Sequence, residues 1–250
     1  MSGIAASALG LAVALASLSV AGAQTPEAAA PQRMDLAKRA EERLHTDWAD
    51  FAHYASANAA LPAADPKAPR VVFMGDSITE FWKVRDPGFF ERPGYVDRGV
   101  SGQTTPQMLV RFRADVVALK PRVVHIMGGA NDVAGNTGPE SLETIEAMIA
   151  SMVEIAKANR IRVVLASVPP AADFSWRKGL QPGPKIVALN AWLKAYAARE
   201  GLVYADYFTA LTDGADGMRG EYSKDGVHPT PAGYAVMDPI AAAAIAKALR

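Results

Sequence analysis

The feature that most constrains the fold of this chain is an alternation of short apolar runs with longer stretches of helical periodicity. Short, mainly apolar runs indicate buried strands, and helical stretches between them indicate a parallel sheet covered on both faces. The candidate strands are Val71–Met74, Tyr95–Arg98, Val123–Met127, Arg162–Ala166 and Val203–Ala205. The candidate helices lie near residues 104–119, 139–159, 184–200 and 231–249. These patterns predict a single α/β sandwich with a central, mostly parallel five-stranded sheet.

Length and charge limit the class of protein further. The chain has 250 residues, half of them hydrophobic, and its formal net charge is zero. This length suits one domain with a sizeable core. The neutral balance argues against a nucleic-acid-binding protein, whose phosphate contacts need an excess of Lys and Arg. Cysteine is absent, so a cysteine nucleophile and a thiolate metal site are excluded.

The N-terminal residues have the character of a secretory signal peptide. Residues 1–23 contain no charged side chain and end in Ala-Gly-Ala, which predicts cleavage near Ala23/Gln24 and export to the periplasm or the extracellular space. An uncleaved membrane anchor is the alternative. Residues 24–33 are expected to form a flexible linker, followed by a domain over 34–250 that begins with a helix at 34–59. No membrane span is expected after removal of the signal peptide.

Small and polar residues follow the predicted strands. Ligands of open parallel sheets bind beyond the carboxyl ends of the strands, so these positions are the candidate site. The first, second and third strands run into Gly75-Asp76-Ser77, Gly99-Val100-Ser101-Gly102 and Gly128-Gly129-Ala130-Asn131-Asp132. A fourth segment, Asp225-Gly226-Val227-His228-Pro229, precedes the last helix. We expect the four segments to meet at one edge of the sheet.

These segments contain the groups that acyl transfer to a hydroxyl nucleophile requires. Ser77 can attack a carbonyl carbon, His228 can take the proton, and Asp225 can orient the imidazole. The backbone N–H groups of Ser77 and Gly102 and the side-chain amide of Asn131 can bind the oxyanion. Glycine at position 102 lets the backbone approach a substrate. The simpler alternative is that Gly75-Asp76-Ser77 is only a turn that caps the next helix.

The four segments in this order resemble the SGNH (GDSL-type) hydrolases, a family of esterases and lipases. The resemblance covers about residues 70–249, and its signature residues would be Ser77, Gly102, Asn131 and His228, with Asp225 as the carboxylate. It implies a flavodoxin-like three-layer α/β/α sandwich. The segments G-D-S-I-T-E-F-W and R-G-V-S-G-Q-T-T are most similar to the compact branch near the platelet-activating-factor-acetylhydrolase-like esterases. This branch implies a small acyl group, above all acetyl, on a carbohydrate or a simple alcohol.

Other classes of function remain as alternatives or are disfavoured. A lysophospholipase or thioesterase would use the same residues, and a non-catalytic sugar-binding relative is the alternative outside enzymology. The G-x-S-x-G elbow of α/β-hydrolases is absent, because Ile78-Thr79 follows Ser77. No metal-ligand spacing, P-loop or dinucleotide fingerprint occurs, so we expect no metal and no cofactor. The sequence carries no signal for an oligomeric state.

The segment after the fourth strand is a candidate substrate wall. Residues 168–184 read V-P-P-A-A-D-F-S-W-R-K-G-L-Q-P-G-P, and they follow the strand at the same edge of the sheet as the candidate nucleophile. Phe174 and Trp176 could contact an apolar or sugar face, and Arg177 could contact polar groups of a substrate. A surface loop packed by its own aromatic rings is the equal alternative.

Overall fold

A computed structural model of the chain describes residues 41–42 and 45–250. Residues Leu44–Arg250 form one compact unit. The signal peptide predicted over residues 1–23 and the linker predicted over 24–33 lie outside the described residues. Both of these, and the export that depends on them, stay predictions.

The core of this unit is a parallel sheet with the strand order β2-β1-β3-β4-β5. The strands are β1 (Val71–Gly75), β2 (Tyr95–Gly99), β3 (Val123–Met127), β4 (Arg162–Ala166) and β5 (Val203–Ala205). Each coincides with a predicted strand, and the first two extend one residue further, to a glycine. The predicted parallel sheet is therefore confirmed. Strand order reverses between β1 and β3, and the crevice at such a reversal is where ligands bind in this type of sheet.

Helices cover both faces of the sheet. The described helices are α1 (Ala52–Ala60), α2 (Ser77–Arg85), α3 (Pro87–Phe90), α4 (Thr105–Asp115), α5 (Ala130–Val133), α6 (Leu142–Ala158), α7 (Gly183–Glu200), α8 (Tyr207–Leu211) and α9 (Pro231–Leu249). Successive residues of a strand point to opposite faces. In β1, Val72 and Met74 pack with α4, α6 and α7, whereas Val71 and Phe73 pack with α2, α3 and α9. The result is the three-layer α/β/α sandwich.

The long helices begin and end at residues suited to those positions. Ser141 accepts a hydrogen bond from the Thr144 N–H at the start of α6 (3.2 Å), so the helix begins after Pro139 rather than at it. Gly201 ends α7 with a φ of 67°, in the left-handed region that favours glycine. Thr230 caps α9, whose first residue is Pro231. These capping residues set the ends of the helices, which lie within a few residues of the predicted ends.

The single helix expected over residues 34–59 is wrong in its described part. Residues 47–51 do not continue a helix; Asp47 accepts hydrogen bonds from the N–H groups of Phe51 and Ala52 (both 2.9 Å), and α1 begins there. Carboxylates favour the start of a helix because they satisfy its unpaired N–H groups. The helix also buries no apolar stripe. Instead, Tyr54 donates a hydrogen bond to the Gly99 carbonyl (2.5 Å).

The C-terminal helix α9 is a core helix of the sandwich. Among the described residues it is the one helix long and apolar enough to cross a membrane. One side of it is buried in the core, with Tyr234, Met237, Ala241 and Ile245 packed in the cluster that includes residues of β1, β3 and β4. Its apolar composition is accounted for by this packing.

Candidate active site

Ser77 lies at the junction of β1 and α2. Asp76 caps the helix by accepting a hydrogen bond from the Ile78 N–H (2.9 Å), which makes Ser77 the first helical residue. Gly75 packs so closely on Thr79 that a Cβ would lie 2.0 Å from the Thr79 hydroxyl oxygen. The turn predicted as the simpler alternative is therefore present, and it places the serine hydroxyl at the carboxyl edge of the sheet.

The helix that carries Ser77 is anchored by a buried tryptophan. Trp82 stacks between Phe89 and Tyr234, with ring centroids 4.7 and 5.6 Å away, and its indole N–H donates to Asp238 (2.8 Å). The side chain has no exposed surface. Truncation of such a residue to alanine costs roughly 3–5 kcal/mol of stability. This packing holds the N-terminus of α2 against the sheet.

His228 and Asp225 are held by a network of hydrogen bonds within one short loop. Asp225 Oδ1 accepts from the backbone N–H groups of Val227 (3.0 Å) and His228 (2.8 Å) and from the Ser223 hydroxyl (3.1 Å). The Ser223 hydroxyl also lies 3.0 Å from the His228 carbonyl oxygen, so its single proton has two acceptors within reach. The other carboxylate oxygen, Oδ2, lies 2.7 Å from His228 Nδ1.

The imidazole links this carboxylate to the serine. His228 Nε2 lies 2.9 Å from Ser77 Oγ, so Asp225, His228 and Ser77 form a continuous chain of hydrogen bonds. A carboxylate only accepts, which puts the ring proton on Nδ1 and leaves Nε2 able to accept the serine proton. The geometry is that of a nucleophile with a general base and an orienting carboxylate.

Electrostatics keep Asp225 ionised. Partial burial acts to raise its pKa, but hydrogen bonds from the His228 ring and from the N–H groups of His228 and Val227 outweigh burial. Together they hold the pKa of Asp225 well below its usual range. Asp76, directly before Ser77, behaves in the opposite way, because burial raises its pKa to about 6. Asp225 is thus suited to pairing with an imidazolium.

Two backbone N–H groups near Ser77 Oγ are available to an incoming oxygen. The N–H groups of Ser77 and Gly102 have no acceptor among the described residues. Gly102 has a φ of 79°, and a Cβ there would meet no protein atom within 4 Å. Glycine is therefore favoured by backbone conformation, and its missing side chain leaves open space beside the serine.

Asn131 lies at the same edge but is already partly engaged. Its Nδ2 donates to the Gln103 carbonyl (3.0 Å), and its second N–H has only a long contact with Asp76 Oδ2 (3.4 Å). Normal N–H···O distances are about 2.7–3.2 Å. One N–H of the amide is therefore held weakly enough to move to a stronger acceptor, such as an oxyanion.

A buried arginine ties the loops of this edge together. Arg111 donates to the Gly75 carbonyl at the end of β1 (3.0 Å) and to the side chain of Gln103 (2.5 Å). Its charge is balanced by Asp115 at 3.0 Å. Sequence reasoning missed this residue, because its position on α4 carries no motif. It connects the loop before Ser77 with the loop that contains Gly102.

The serine opens into a cavity of about 310 Å³. The residues that line it are Ser77, Phe81, Ser101, Gly102, Asn131, Asn136, Trp176 and His228. The predicted nucleophile, base and oxyanion donors all lie here, whereas the predicted orienting carboxylate, Asp225, stands behind the histidine. The ring centroids of Phe81 and Trp176 lie 5.2 and 6.3 Å from that of His228. Phe81 and Asn136 were not predicted from the sequence.

Of the three residues predicted as a substrate wall, the structure places only Trp176 at the cavity. Trp176 lines the cavity with 41% of its surface exposed, whereas Phe174 is fully buried beneath it at 4.8 Å between ring centroids. Arg177 does not line the cavity; its guanidinium donates to the Gly135 carbonyl (3.1 Å). The loop is therefore both a wall and a self-packed surface segment. Phe174 supports the tryptophan from the core, and Arg177 fixes the loop.

No metal site emerges from residues 41–42 and 45–250, where no group of three or more His, Asp or Glu side chains is placed to hold an ion. Beside Ser77, the titratable side chains in contact are His228 and Asp225, which continue the chain of hydrogen bonds from the serine. The groups that line or border the cavity beside Ser77 include a hydroxyl, an imidazole, a carboxylate and amide N–H groups.

The chain is similar to known GDSL-like lipases and esterases. Residues 73–236 match the GDSL-like lipase/acylhydrolase family. A GDSL-like lipase of known structure from Bacteroides thetaiotaomicron is 46% identical, with a TM-score of 0.79 and coverage of 81% of this chain and 100% of the other. An isoamyl acetate-hydrolyzing esterase 1 homolog from Bos taurus is 30% identical over 66% of this chain and 76% of its own length.

A bacterial relative covers a similar share of the chain. The esterase TesA of Pseudomonas aeruginosa is 28% identical over 177 residues, which are 65% of this chain and 80% of that protein. The family match covers more than half of the chain and includes the strand ends that carry Ser77, Gly102 and Asn131, together with His228. The chain therefore belongs to the GDSL-like lipase/acylhydrolase family of SGNH hydrolases and is a carboxylic ester hydrolase.

Proposed function

We propose that the protein is a serine esterase that removes short acyl groups, with acetyl preferred, through a covalent acyl-enzyme. The observation that carries the proposal is the chain of hydrogen bonds from Ser77 through His228 to Asp225, at 2.9 and 2.7 Å, on the wall of a small cavity. This arrangement supplies a nucleophile, a base and an orienting carboxylate in one place.

Acylation begins with attack of Ser77 Oγ on the ester carbonyl carbon. His228 Nε2 takes the serine proton as the C–O bond forms, and Asp225 stabilises the resulting imidazolium. The carbonyl oxygen becomes an oxyanion bound by the N–H groups of Ser77 and Gly102 and by the Asn131 amide. The bond to the leaving alcohol then breaks, and His228 returns its proton to the alcohol oxygen. The acyl group remains on Ser77.

Deacylation repeats these steps with water. His228 Nε2 takes a proton from water as the water oxygen attacks the acyl carbon, and a second oxyanion forms in the same place. Its collapse breaks the bond to Ser77 Oγ, which recovers the proton from His228. A carboxylic acid leaves, and the enzyme returns to its starting state. The low pKa of Asp225 favours this cycle, because the carboxylate stays charged while the imidazole gains and loses its proton.

The size of the cavity supports a short acyl group. Its volume of about 310 Å³ is near the lower end of ligand pockets, which span about 300–1,000 Å³. The aromatic side chains of Phe81 and Trp176 form part of its wall. The bovine relative is named for hydrolysis of an acetate ester, which points to the same acyl group.

The exposed indole of Trp176 supports a carbohydrate as the alcohol part. Phe174 covers one side of this ring from the core, and the exposed remainder is at the cavity. An aromatic face of this kind can stack on the C–H face of a sugar ring. We therefore propose acetylated sugars as the preferred substrates over simple alkyl acetates.

The test is hydrolysis of p-nitrophenyl acetate, butyrate, octanoate and laurate, followed by acetylated sugars and lysolipids. We expect the highest kcat/KM for acetate and no detectable activity for Ser77→Ala. Ser151→Ala is the matched control, because this serine lies on α6 and bonds only the Ala147 carbonyl (2.9 Å). A maximum at octanoate or longer would favour a lysophospholipase or thioesterase. Inactive wild-type protein would favour the non-catalytic sugar-binding alternative.

A further inference from the structure

Asn136 is a polar residue on the wall of the cavity to which the proposed mechanism gives no role. It follows α5, five residues after Asn131, and its backbone N–H donates to the Asn131 carbonyl (3.0 Å). Its side-chain Nδ2 donates to Asn131 Oδ1 (2.8 Å) and to the Gly102 carbonyl (3.2 Å). Its Oδ1 accepts from the indole N–H of Trp176 (3.1 Å). Every polar atom of this amide therefore has a partner.

Two of these partners leave no freedom in the orientation of the Asn136 amide. An indole N–H can only donate, and a backbone carbonyl can only accept. Asn136 must therefore turn Oδ1 toward Trp176 and Nδ2 toward Gly102. A flipped amide would place a donor against the indole N–H and an acceptor against the carbonyl oxygen, and both hydrogen bonds would be lost.

The fixed amide of Asn136 in turn orients the amide of Asn131. The second N–H of Asn136 Nδ2 requires an acceptor, so Asn131 turns Oδ1 toward it and Nδ2 away from it. This leaves Asn131 Nδ2 with the Gln103 carbonyl and the weak contact to Asp76. A flipped Asn131 would present an oxygen where the mechanism needs a donor.

We propose that Asn136 is a positioning residue that fixes the Asn131 amide as an oxyanion donor and is itself held in place by the Trp176 indole N–H. The inference rests on the proposed function, because it assigns Asn136 a task only if Asn131 binds an oxyanion. Through the indole N–H of Trp176, the wall of the cavity thereby helps to position the Asn131 amide. Loss of the indole N–H would loosen Asn136 first and Asn131 next.

The decisive experiment is a double-mutant cycle between Asn136→Leu and Asn131→Ala, measured with p-nitrophenyl acetate. Leucine has nearly the shape of asparagine but neither donates nor accepts. We expect Asn136→Leu to lower kcat about 10-fold or more, up to the 10²–10³ of a lost oxyanion donor, with KM little changed. In the Asn131→Ala background the same change should cost less than about 3-fold, since residues that act through one another are not additive.

A second variant covers the case in which Asn136→Leu fails to fold. Trp176→Phe keeps an aromatic wall but removes the indole N–H, and it should lower kcat about 2- to 10-fold, the scale of one neutral hydrogen bond. This effect should also vanish in the Asn131→Ala background. Asn159→Ala is the matched control, because this asparagine bonds the Ile155 carbonyl at the end of α6 (2.7 Å).

The outcomes separate the inference from the function on which it rests. If Ser77→Ala abolishes activity and Asn136→Leu leaves kcat within 2-fold, or costs the same with and without Asn131, the positioning role is overturned and the esterase stands. If Ser77→Ala retains full activity, the proposed function itself has failed. A purely structural Asn136 would lower the melting temperature without coupling to Asn131.

Discussion

Each end of the sheet carries a cavity, and the two cavities differ in the chemistry of the residues that line them. At the amino ends of the strands lies a cavity of about 610 Å³ whose lining includes Arg70, Lys120, Arg122 and Arg160. At the carboxyl ends lies the cavity of about 310 Å³ beside Ser77. The larger one contains cations but no serine, histidine or asparagine in its wall. A candidate active site is therefore recognised by converging donors, acceptors and a nucleophile, and not by volume.

The difference follows from the direction of the strands. In a parallel sheet every strand-to-helix turn lies at the carboxyl edge, so the unpaired N–H groups at helix N-termini gather there. Ser77 is such a residue at the start of α2. The opposite edge receives the helix-to-strand turns, where the unpaired groups are carbonyls and the side chains are mainly solvated cations. The carboxyl edge can bind a developing negative charge on oxygen in a fixed geometry, whereas the cavity at the amino edge offers cations without a nucleophile or a general base.

The largest expected effect contrasts one residue from each end. Ser77→Ala should lower kcat by about 10⁴–10⁶ with folding intact, because the nucleophile is lost. Arg122→Ala, at the exposed wall of the amino-end cavity, should leave kcat and KM within 2-fold. Initial rates with p-nitrophenyl acetate and a thermal melt of each variant measure this. A comparable loss in both variants would contradict the assignment of the site to the carboxyl edge.

The next effect concerns the carboxylate behind the histidine. Asp225→Asn should lower kcat by up to about 10⁴, because an amide can stabilise the wrong tautomer of His228 and cannot balance an imidazolium. KM should change little, since Asp225 does not line the cavity. The pH dependence of kcat should also differ between Asp225→Asn and wild type, because the variant lacks the charge that balances the imidazolium. An activity loss below about 3-fold would remove Asp225 from the mechanism.

A smaller effect is expected from the side-chain oxyanion donor. Asn131→Ala should lower kcat by roughly 10²–10³ while the two backbone donors at Ser77 and Gly102 remain. The loss should be larger in kcat than in binding of a substrate analogue, because the interaction strengthens as charge develops on the oxygen. Steady-state kinetics separate the two. Equal losses in kcat and in ground-state binding would assign Asn131 to substrate binding instead.

The smallest effect is on stability and concerns a carboxyl group of the sheet. Burial raises the pKa of Asp97, on β2, to about 7, although the Gly99 N–H donates to it. The folded protein then holds this proton more tightly than the unfolded chain, so the contribution of Asp97 to stability is greatest at acidic pH and is lost as pH rises toward 7. Asp97→Asn cannot titrate, and it keeps an acceptor for Gly99.

Denaturant unfolding between pH 4.5 and 8 measures this contribution. The free energy of unfolding of wild type minus that of Asp97→Asn should fall as pH rises to about 7, by at most about 1.4 kcal/mol per pH unit. The free energy of unfolding of Arg122→Ala, a variant at the amino ends of the strands, should instead change with pH in parallel with that of wild type. Parallel curves for Asp97→Asn and wild type would contradict the raised pKa.

Much of the fold and of the site was predictable because both depend on local signals. Apolar runs marked the strands, and small polar residues at their ends marked the loops that carry Ser77, Gly102 and Asn131. His228 was identified by the carboxylate three residues before it, which the loop geometry now explains. His125, on β3, is fully buried beside Tyr207, where burial lowers its pKa to about 3.

The features that sequence reasoning missed depend on contacts between distant segments. Asn136 bonds Trp176, 40 residues away, and no local pattern marks that pair. Phe174 and Trp176 occupy one loop and are both aromatic, yet one is fully buried and the other exposed. The break before α1 did carry a local signal, the carboxylate of Asp47, which outweighed the helical periodicity around it. Periodicity alone does not reveal such a cap.

The central claim, that Ser77 is the nucleophile, is tested most directly by labelling with a fluorophosphonate and locating the adduct by mass spectrometry. The predicted result is one adduct per chain on the peptide that contains Ser77, at full occupancy for wild type and Ser151→Ala. Ser77→Ala should carry none, and His228→Ala should react far more slowly. An adduct on another residue, or equal labelling of Ser77→Ala, would contradict the account.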